Sequence, residues 1–212
     1  MISKKDKLIF IHIPKTGGQT ILKHFLEKYE YSWENRKHLY ANYKNIGDYQ
    51  INLAHLTYRE YFELGIIDKN EMDNYKMFTI VRNPTDRMLS HFNMLRSKPK
   101  FRNLSVEQYL IKVKKWISAV ENGKKELKYF KHYMMIRPQH EFIEGANDKV
   151  EVIKYEGYYK VEKLLKVYGI DSIKKRNVPA NKDFYYDNRK YLKPFCEEFY
   201  KKDYERFRYP TY

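Results

Sequence analysis

The sequence predicts an α/β domain in which a parallel sheet is flanked by helices. Strands are indicated at residues 8–13, 76–82 and 149–155, and the first two are predicted to be buried. Each predicted strand is followed by residues with the apolar spacing of an amphipathic helix. Alternation of strands and helices is typical of parallel sheets whose faces are covered by helices. For a chain of 212 residues we expect a single domain spanning residues 1–212.

The first predicted strand leads directly into residues 14–20, which contain two adjacent glycines. The glycines allow the backbone to turn tightly, and apolar residues at helical spacing then predict a helix that ends near Tyr31. A helix N-terminus offers unbonded N–H groups and the positive end of the helix dipole to an anion. Lys15 adds a cation, and Thr16 and Thr20 add hydroxyl donors. This stretch therefore predicts a P-loop-like cradle for phosphate or sulfate.

Capping residues mark the starts of other predicted helices. Asn83 is an N-cap that is followed by proline at the first helical position, directly after the second strand. Thr57 and Ser105 begin capping boxes, because Glu or Gln follows three residues later. A short strand is predicted at residues 49–56. Further helices are expected at residues 124–135, 158–168 and 189–204. The last of these contains Pro194, which kinks the helix or marks its true start.

The balance of charges predicts a polyanionic partner. With 42 Lys and Arg against 27 Asp and Glu, the chain has a formal net charge of +15 and a pI of about 9.5. Nucleotides, acidic glycans, nucleic acids and membrane surfaces all match such a charge. Cys196 is the single cysteine, which excludes an intrachain disulfide and fits a reducing compartment. Because no apolar run reaches the length of a signal peptide or a membrane span, we expect a cytoplasmic protein.

The predicted cradle differs from that of the Walker-type nucleotide hydrolases. The pattern Gly-x-x-x-x-Gly-Lys-[Ser/Thr] is absent, and Lys15 precedes the glycines. The second strand ends in Arg82, where a magnesium-dependent hydrolase often carries an acidic residue. Since the sequence offers no obvious acidic metal cluster, we expect chemistry without a metal ion.

Two stretches resemble motifs of a known family. Ile-His-Ile-Pro-Lys-Thr-Gly-Gly-Gln-Thr at residues 11–20 is similar to the nucleotide 5′-phosphosulfate loop of the carbohydrate sulfotransferases. The closest resemblance is to the group that contains the heparan sulfate 2-O-sulfotransferases. Val-Arg-Asn-Pro-Thr-Asp-Arg-Met-Leu-Ser at residues 81–90 resembles the 3′-phosphate segment of the same family. Weaker similarity continues at residues 136–139 and 203–209. Gln19 replaces the small or hydroxyl residue that is more usual in the first motif.

The resemblance implies that the chain binds 3′-phosphoadenosine 5′-phosphosulfate (PAPS) and transfers its sulfuryl group to a hydroxyl. The residues implied to hold the 5′-phosphosulfate are Lys15, Thr16, Gly17, Gly18, Gln19 and Thr20. Lys15 is also suited to neutralise the charge that grows on the bridging oxygen as its bond to sulfur breaks. Arg82 is implied to grip the 3′-phosphate, and Ser90 to donate a hydroxyl to it. A late loop covers the nucleotide in related enzymes, which makes Arg176 and Asn177 further cofactor-binding candidates.

An acceptor hydroxyl must lose a proton during the transfer, and the ordinary pKa of histidine suits this task. Among the seven histidines we favour His55 as the catalytic base. It ends a predicted strand just before a capped helix, where α/β proteins place site residues. Its position between the two nucleotide motifs also resembles that of the family's catalytic histidine. Glu60 and Glu27 are the alternative bases, and His12 is expected to be a hydrogen-bonded core residue.

We therefore expect a sulfotransferase whose acceptor is a glycan, acidic or neutral, or another hydroxylated molecule. An acidic saccharide is preferred, since positive charge beyond the needs of the nucleotide would attract it. A kinase-like phosphotransferase would share the phosphate cradle but would require magnesium. A non-catalytic nucleic-acid-binding protein would explain the charge and would bind with steep salt dependence. Neither alternative explains both motifs, so no nucleic-acid partner is expected.

Overall fold

A computed structural model describes residues 1–39, 53–123, 127–157, 159–171 and 182–211. Helices follow each of three successive strands, and the predicted α/β class is confirmed. The strands are β1 (Ile2–Ser3), β2 (Leu8–Ile11), β3 (Lys76–Val81) and β4 (Val150–Lys154). The helices are α1 (Gly18–Lys28), α2 (Tyr58–Glu63), α3 (Lys69–Asn74), α4 (Pro84–Arg96), α5 (Val106–Glu121), α6 (Leu127–Ile136), α7 (Tyr159–Lys166), α8 (Lys182–Phe199) and α9 (Lys201–Arg206).

The described strands form one sheet in the order β1-β2-β3-β4. β2, β3 and β4 run parallel, while β1 pairs antiparallel with β2 at the edge. Ile11 at the end of β2 is opposite Thr79 on β3, and the buried Thr79 hydroxyl donates to the Ile11 carbonyl oxygen over 2.8 Å. Because the strands are parallel, their carboxyl ends lie at one edge of the sheet, where the turn after β2 begins.

The chain divides into two compact units. The first unit comprises Met1–Val81 and Gln139–Arg176, and the second comprises Arg82–Pro138 and Asn177–Tyr212, each as far as it is described. In the first unit, buried apolar residues of the sheet, α1 and α7 form one cluster. In the second unit, α4 packs against α8, and α5 packs against α6. A single domain spanning residues 1–212 stays a prediction.

The predicted helix caps are confirmed. Thr57 Oγ1 accepts from the N–H of Glu60, and the Glu60 carboxylate accepts from the N–H of Thr57, so this capping box is complete. Ser105 and Gln108 form the same box at the start of α5. Asn83 caps α4, because its side-chain oxygen accepts from two N–H groups of the first turn. These starts are encoded by residues three positions apart, which is why the sequence reveals them.

Two short elements are missing from the sequence prediction. β1 has only two residues, too few for any periodicity to indicate a strand. α3 begins at a further capping box, formed by Asp68 and Glu71, but its six residues carry little apolar pattern. β1 therefore gives no local signal, whereas the capping box of Asp68 and Glu71 is a local signal for α3 that the sequence prediction missed.

The strand predicted at residues 49–56 is wrong in its described part. Leu53–His55 forms a short 3-10 turn, and residues 49–52 lie outside the described residues. Alternation of apolar and polar residues over so few positions does not distinguish a strand from a tight turn. His55 therefore lies in a turn directly before the N-cap of α2.

The closing helix also differs from its prediction. α8 begins at Lys182 rather than at residue 189, and it contains Pro194 instead of starting there. Leu192 and Cys196 on either side of the proline are fully buried, so packing offsets the main-chain bond that proline cannot make. None of the described helices is long and apolar enough to cross a membrane.

Candidate functional site

The turn between β2 and α1 has an unusual backbone. Lys15 has φ 68° and Gly17 has φ 89°, so both lie in the left-handed region. Glycine adopts this region freely, but a side chain such as that of Lys15 costs roughly 1–2 kcal/mol there. Backbone strain of this kind persists where the surrounding structure enforces it, and it is frequent in loops that clamp ligands.

The N-terminus of α1 lacks the usual side-chain cap. Gly17 makes no capping bond, and the first turn contains no acidic residue. By contrast, side chains cap α2, α3, α4 and α5. The N–H of Thr20 donates to the Gly17 carbonyl oxygen over 3.0 Å, whereas the N–H groups of Gly18 and Gln19 precede the first bonds within the helix. The positive end of this helix is therefore suited to an external anion.

The threonines of the cradle have different environments. Thr16 is fully buried, and its hydroxyl donates to the Ile13 carbonyl oxygen over 2.9 Å. Its hydroxyl hydrogen is thus used inside the turn, which leaves the main-chain N–H of Thr16 as its donor to an anion. Thr20 is half-buried and Gln19 is exposed at the start of α1. Lys15 is half-buried.

Gly18 is held against the ring of His12. A Cβ atom on Gly18 would lie 2.2 Å from Cδ2 and 2.3 Å from Nε2 of His12, far inside contact distance. The His12 ring in turn stacks on Phe10, with 5.3 Å between the ring centres. His12 is buried, as predicted, so it cannot swing away into solvent. The contact explains why the first residue of α1 is glycine.

His55 bonds to the main chain beside this contact. Its Nδ1 lies 2.9 Å from the carbonyl oxygen of His12, and the two imidazole rings are 4.5 Å apart. A carbonyl oxygen only accepts, so Nδ1 carries the hydrogen and donates it. In the neutral ring, Nε2 then carries the lone pair and can take a proton. His55 is half-buried rather than enclosed.

The electrostatics keep both imidazoles neutral. The pKa of His55 is lowered to about 4, mainly by burial and in smaller part by the positive charges of the N-terminus and Lys15, while its bond to the His12 carbonyl oxygen opposes the change. Burial also holds the pKa of His12 well below its ordinary value, with smaller contributions from His55 and Lys15. Lys15 is therefore close enough to act on both rings. The first unit thus brings together the cradle, its lysine and a neutral histidine.

The alternative bases serve other roles. The Glu60 carboxylate accepts the N–H of Thr57 over 2.8 Å in the capping box of α2. Glu27 is exposed near the end of α1, where it pairs with Lys23 at 3.4 Å. Each carboxylate thus has a structural role in a helix, whereas His55 has a ring nitrogen left for chemistry.

In the second unit, Arg82 and Ser90 are both half-buried, Arg82 just before α4 and Ser90 within it. Between them, Asp86 accepts from Nε of Arg189 on α8 over 2.6 Å. The pKa of Tyr185 is raised to about 12, mainly by burial and in smaller part by Asp86, while Arg82 and Arg189 oppose the rise. Near the start of α4, the side chains of four residues are therefore close enough to interact, namely Arg82, Asp86, Tyr185 and Arg189. The sequence prediction misses Tyr185 and Arg189, because 103 residues separate Arg189 from Asp86.

A comparison with protein families decides the identity of the chain. The model of the sulfotransferase family matches residues 1–210. The chain belongs to the sulfotransferase family. Comparisons with curated proteins and with solved structures found no match.

Arg87 of the sulfotransferase is the largest fully buried side chain of the second motif. Its Nη2 donates to the carbonyl oxygens of Ile136 and Arg137, at 3.1 and 2.7 Å. The hydroxyl of Tyr200 donates to the same Ile136 oxygen over 2.5 Å. Arg87 therefore ties α4 to the end of α6, and its role is to hold the second unit together. It lies in the same motif as Arg82, but its contacts are with the protein.

Arg176 and Asn177 lie outside the described residues. Tyr155, at the end of β4, packs against the apolar cluster of the first unit. Buried His91 has its Nδ1 2.8 Å from the Tyr109 hydroxyl, which makes it a core residue. Within the described ranges, no group of three or more His, Cys, Asp or Glu is placed to hold a metal ion.

Proposed function

We propose that this sulfotransferase moves the sulfuryl group of PAPS to a carbohydrate hydroxyl, with His55 as the base. The observation that carries the proposal is the bond from His55 Nδ1 to the His12 carbonyl oxygen, beside the uncapped start of α1. Because of this bond, the proton acceptor His55 and the anion site at the start of α1 belong to the same unit. The match to the family supports sulfuryl transfer as the reaction class.

The 5′-phosphosulfate of the donor binds at the cradle in this proposal. Main-chain N–H groups of residues 16–19 and the ammonium of Lys15 supply the positive charge. The absence of an acidic residue from the first turn of α1 supports this role, because no carboxylate there competes with the anion. Gln19 is exposed and Thr20 half-buried, so both side chains can contribute polar contacts.

The 3′-phosphate binds to Arg82 and Ser90. An Arg guanidinium matches phosphate with two parallel hydrogen bonds, and the Ser hydroxyl adds a third donor. Asp86 would repel a phosphate, but its pairing with Arg189 at 2.6 Å offsets that charge. The Asp86–Arg189 pair thus supports an anion site on a helix face that would otherwise carry a negative charge. Arg176 and Asn177 remain proposed nucleotide contacts.

His55 Nε2 accepts the proton of the acceptor hydroxyl as the hydroxyl oxygen bonds to sulfur. At the same time, the bond between sulfur and the bridging phosphate oxygen breaks, and Lys15 offsets the charge on that oxygen. The donor supplies the sulfuryl group and leaves as adenosine 3′,5′-bisphosphate. The main-chain bond at Nδ1 fixes the ring so that Nε2 is the basic nitrogen throughout the step.

A pKa of about 4 makes His55 a weak base in the free protein. A general base works best when its pKa lies near the working pH. The positive charge of Lys15 is one cause of the low pKa. Because the phosphosulfate brings negative charge to the cradle and offsets that of Lys15, we expect donor binding to raise the pKa of His55, while burial, the largest cause of the low pKa, continues to lower it.

Transfer of radiolabelled sulfate from PAPS to a panel of oligosaccharides tests the proposal. We expect labelled product with the wild type, in the presence of EDTA as well as in its absence. His55→Gln should lower turnover by about a hundredfold or more, because the base is lost. His24→Gln is the matched control, since His24 pairs with Glu27 at 3.3 Å on α1, and it should retain turnover. Absence of labelled product, or wild-type turnover in His55→Gln, would contradict the proposal.

A further inference from the structure

The side of α5 that faces solvent carries an exposed isoleucine among lysines. Ile111 is 68% exposed, and one helical turn further on lie Lys114 and Lys115, which are exposed as well. Ile111 also borders a groove of about 580 Å³ between α5 and the turn Pro99–Phe101. The ring of Phe101 lines the same groove, so the exposed isoleucine belongs to a small apolar patch rather than standing alone.

This part of the chain is strongly basic. Residues 96–115 contain one carboxylate, that of Glu107, against two arginines and five lysines. We call the five lysines, together with Phe101 and Ile111, the α5 surface. The lysines are Lys98, Lys100, Lys112, Lys114 and Lys115. None of these lysines forms an ion pair with a carboxylate of the described residues, so their charge is available to an anionic partner.

Several of these cations act on the same small region. The ammonium groups of Lys100 and Lys112 lie 5.8 and 5.9 Å from the centre of the Phe101 ring. The pKa of His132 on α6 is lowered, mainly by burial and in smaller part by the charges of lysines that include Lys98 and Lys112. Lysines that precede α5 and lysines on α5 therefore contribute to one positive surface around the apolar patch.

An anionic lipid surface matches both the charge and the exposed apolar atoms. Lysine ammonium groups pair with lipid phosphates and carboxylates, while their alkyl chains and a neighbouring apolar side chain enter the boundary between headgroups and acyl chains. Each cation held close to such a surface adds to the attraction, so five lysines act together. Single-stranded nucleic acid calls instead for several rings on which bases stack, and Phe101 is the one ring in the described lining of the groove. Ile111 gains contacts in the lipid boundary that a soluble polyanion does not offer.

We infer that the α5 surface docks on a membrane that contains anionic lipids, with Ile111 inserted among the headgroups and the five lysines on lipid phosphates or carboxylates. All residues of this surface belong to the second unit. None of them is assigned to the nucleotide, to the base or to the acceptor, so the inference goes beyond the proposed function. Docking requires neither PAPS nor an acceptor, and it attaches the protein to the membrane from one side.

Co-sedimentation with lipid vesicles tests the inference, at about 0.15 M salt and without PAPS. The wild type should bind vesicles of phosphatidylcholine and phosphatidylserine, mixed about two to one, at least about tenfold more tightly than vesicles of phosphatidylcholine alone. Lys115→Glu should weaken binding to the anionic vesicles by about tenfold, because a cation of the α5 surface becomes a repelling charge. Lys166→Glu is the matched control, since Lys166 is an exposed lysine of α7 outside this surface. It should change binding by less than about threefold.

Ile111→Ser tests the apolar contribution without a change in charge. Loss of the inserted side chain should weaken binding to the anionic vesicles by about fivefold. Val167→Ser is the matched control, because Val167 is 80% exposed directly after α7 and lies outside the α5 surface. It should bind as the wild type does. Melting curves confirm that each variant is folded, as expected for changes at exposed positions.

Equal binding of the wild type to the two kinds of vesicle would overturn the inference. Equal losses in Lys115→Glu and Lys166→Glu would also overturn it, because net charge alone would then explain binding. Wild-type binding by Ile111→Ser would overturn it in favour of a soluble polyanion, such as a single-stranded oligonucleotide, which needs the lysines but not the isoleucine. Because vesicle binding is measured without PAPS, its outcome is separate from that of the sulfate transfer assay.

Discussion

The Nδ1 atom of His55 lies 2.9 Å from the main-chain oxygen of His12, across 43 positions of sequence. Because a main-chain oxygen cannot donate, this bond places the ring hydrogen on Nδ1 and leaves Nε2 as the basic atom. Because the acceptor is a main-chain oxygen rather than a carboxylate, the bond raises the pKa of His55 by less than burial lowers it. The relationship therefore orients the ring of His55, the proposed base, and leaves it with a low pKa in the free protein.

The pH dependence of catalysis follows from this pKa. His55 must be neutral to accept a proton, so activity falls as the pH drops through its pKa. Because the pKa of His55 in the free protein is about 4, kcat/KM for PAPS should stay constant well below pH 6.5 and fall only near pH 4. The decrease of kcat should begin at a higher pH than that of kcat/KM, because kcat reports the pKa of His55 in the complex with the bound donor. Steady-state kinetics over this range measure both limbs, and a fall of kcat/KM near pH 6.5 would contradict the assignment.

Gly18→Ala should disrupt the site without a change in charge. The new Cβ would lie 2.2 Å from the buried His12 ring, which must shift and move the carbonyl oxygen that holds His55. We expect turnover to fall by about a hundredfold, as is usual when catalytic groups are misplaced by an ångström. Gly157→Ala is the matched control, because its Cβ would meet only Tyr159 at an ordinary 3.9 Å. Equal activity in the two variants would contradict this prediction, because the His12 ring would then have moved away from the new Cβ without disturbing His55.

Asn83→Ala should destabilise the protein by about 1–2 kcal/mol. The Asn83 side chain is buried and accepts from the N–H groups of Thr85 and Asp86, which lose their partner in the variant. Urea unfolding measures the change in the free energy of unfolding. Asn83→Ser is the control, since serine caps helices as well as asparagine does and should restore most of the loss. Equal instability of both variants would assign the effect to contacts other than the cap.

Acidification should weaken the first unit through Asp6. Burial raises the pKa of Asp6, but hydrogen bonds from Lys28 and Tyr29 outweigh burial and hold the pKa below its ordinary value of 3.8. A carboxylate with a lowered pKa stabilises the folded state above the unfolded-state pKa, and this stability is lost as the pH falls through the folded-state pKa. The free energy of unfolding should therefore fall more steeply below pH 3.8 in the wild type than in Asp6→Asn.

Asp73→Asn provides a comparison for the acid unfolding experiment. Asp73 also pairs with a lysine, Lys149, at 2.6 Å, but both side chains are about half exposed. Water and salt screen such a pair, so its removal should change the pH dependence less than that of Asp6. A larger effect for Asp73 than for Asp6 would contradict the ranking by burial.

Local signals in the sequence account for much of the fold. The glycine turn, the proline after Asn83 and the capping boxes at Thr57 and Ser105 each involve residues within a few positions of one another. Apolar runs likewise identify β2 and β3, because buried parallel strands are apolar on both faces, whereas β4 is buried only at Val150 and Ile153. The site residues of the two motifs were predicted from equally short stretches, through their resemblance to a known family, and they stay predictions.

Long-range contacts account for what the sequence alone did not predict. The bond between His55 and the His12 main chain spans 43 residues, and no side-chain pattern encodes a main-chain acceptor. The pairing of Arg189 with Asp86 spans 103 residues, and α8 continues through Pro194 because Leu192 and Cys196 are buried in long-range contacts. The hydrogen bond from the Thr16 hydroxyl to the Ile13 carbonyl oxygen likewise forms only in the folded turn, so the sequence does not predict it.

Calorimetric titration with adenosine 3′,5′-bisphosphate and with AMP tests the central claim that this sulfotransferase uses a doubly phosphorylated adenosine donor. The account predicts that the bisphosphate binds at least about tenfold more tightly than AMP, because Arg82 and Ser90 bind the 3′-phosphate. Arg82→Ala should remove this preference, while Lys15→Met should weaken both ligands. Equal affinity of the wild type for the two nucleotides, or an unchanged preference in Arg82→Ala, would contradict the account.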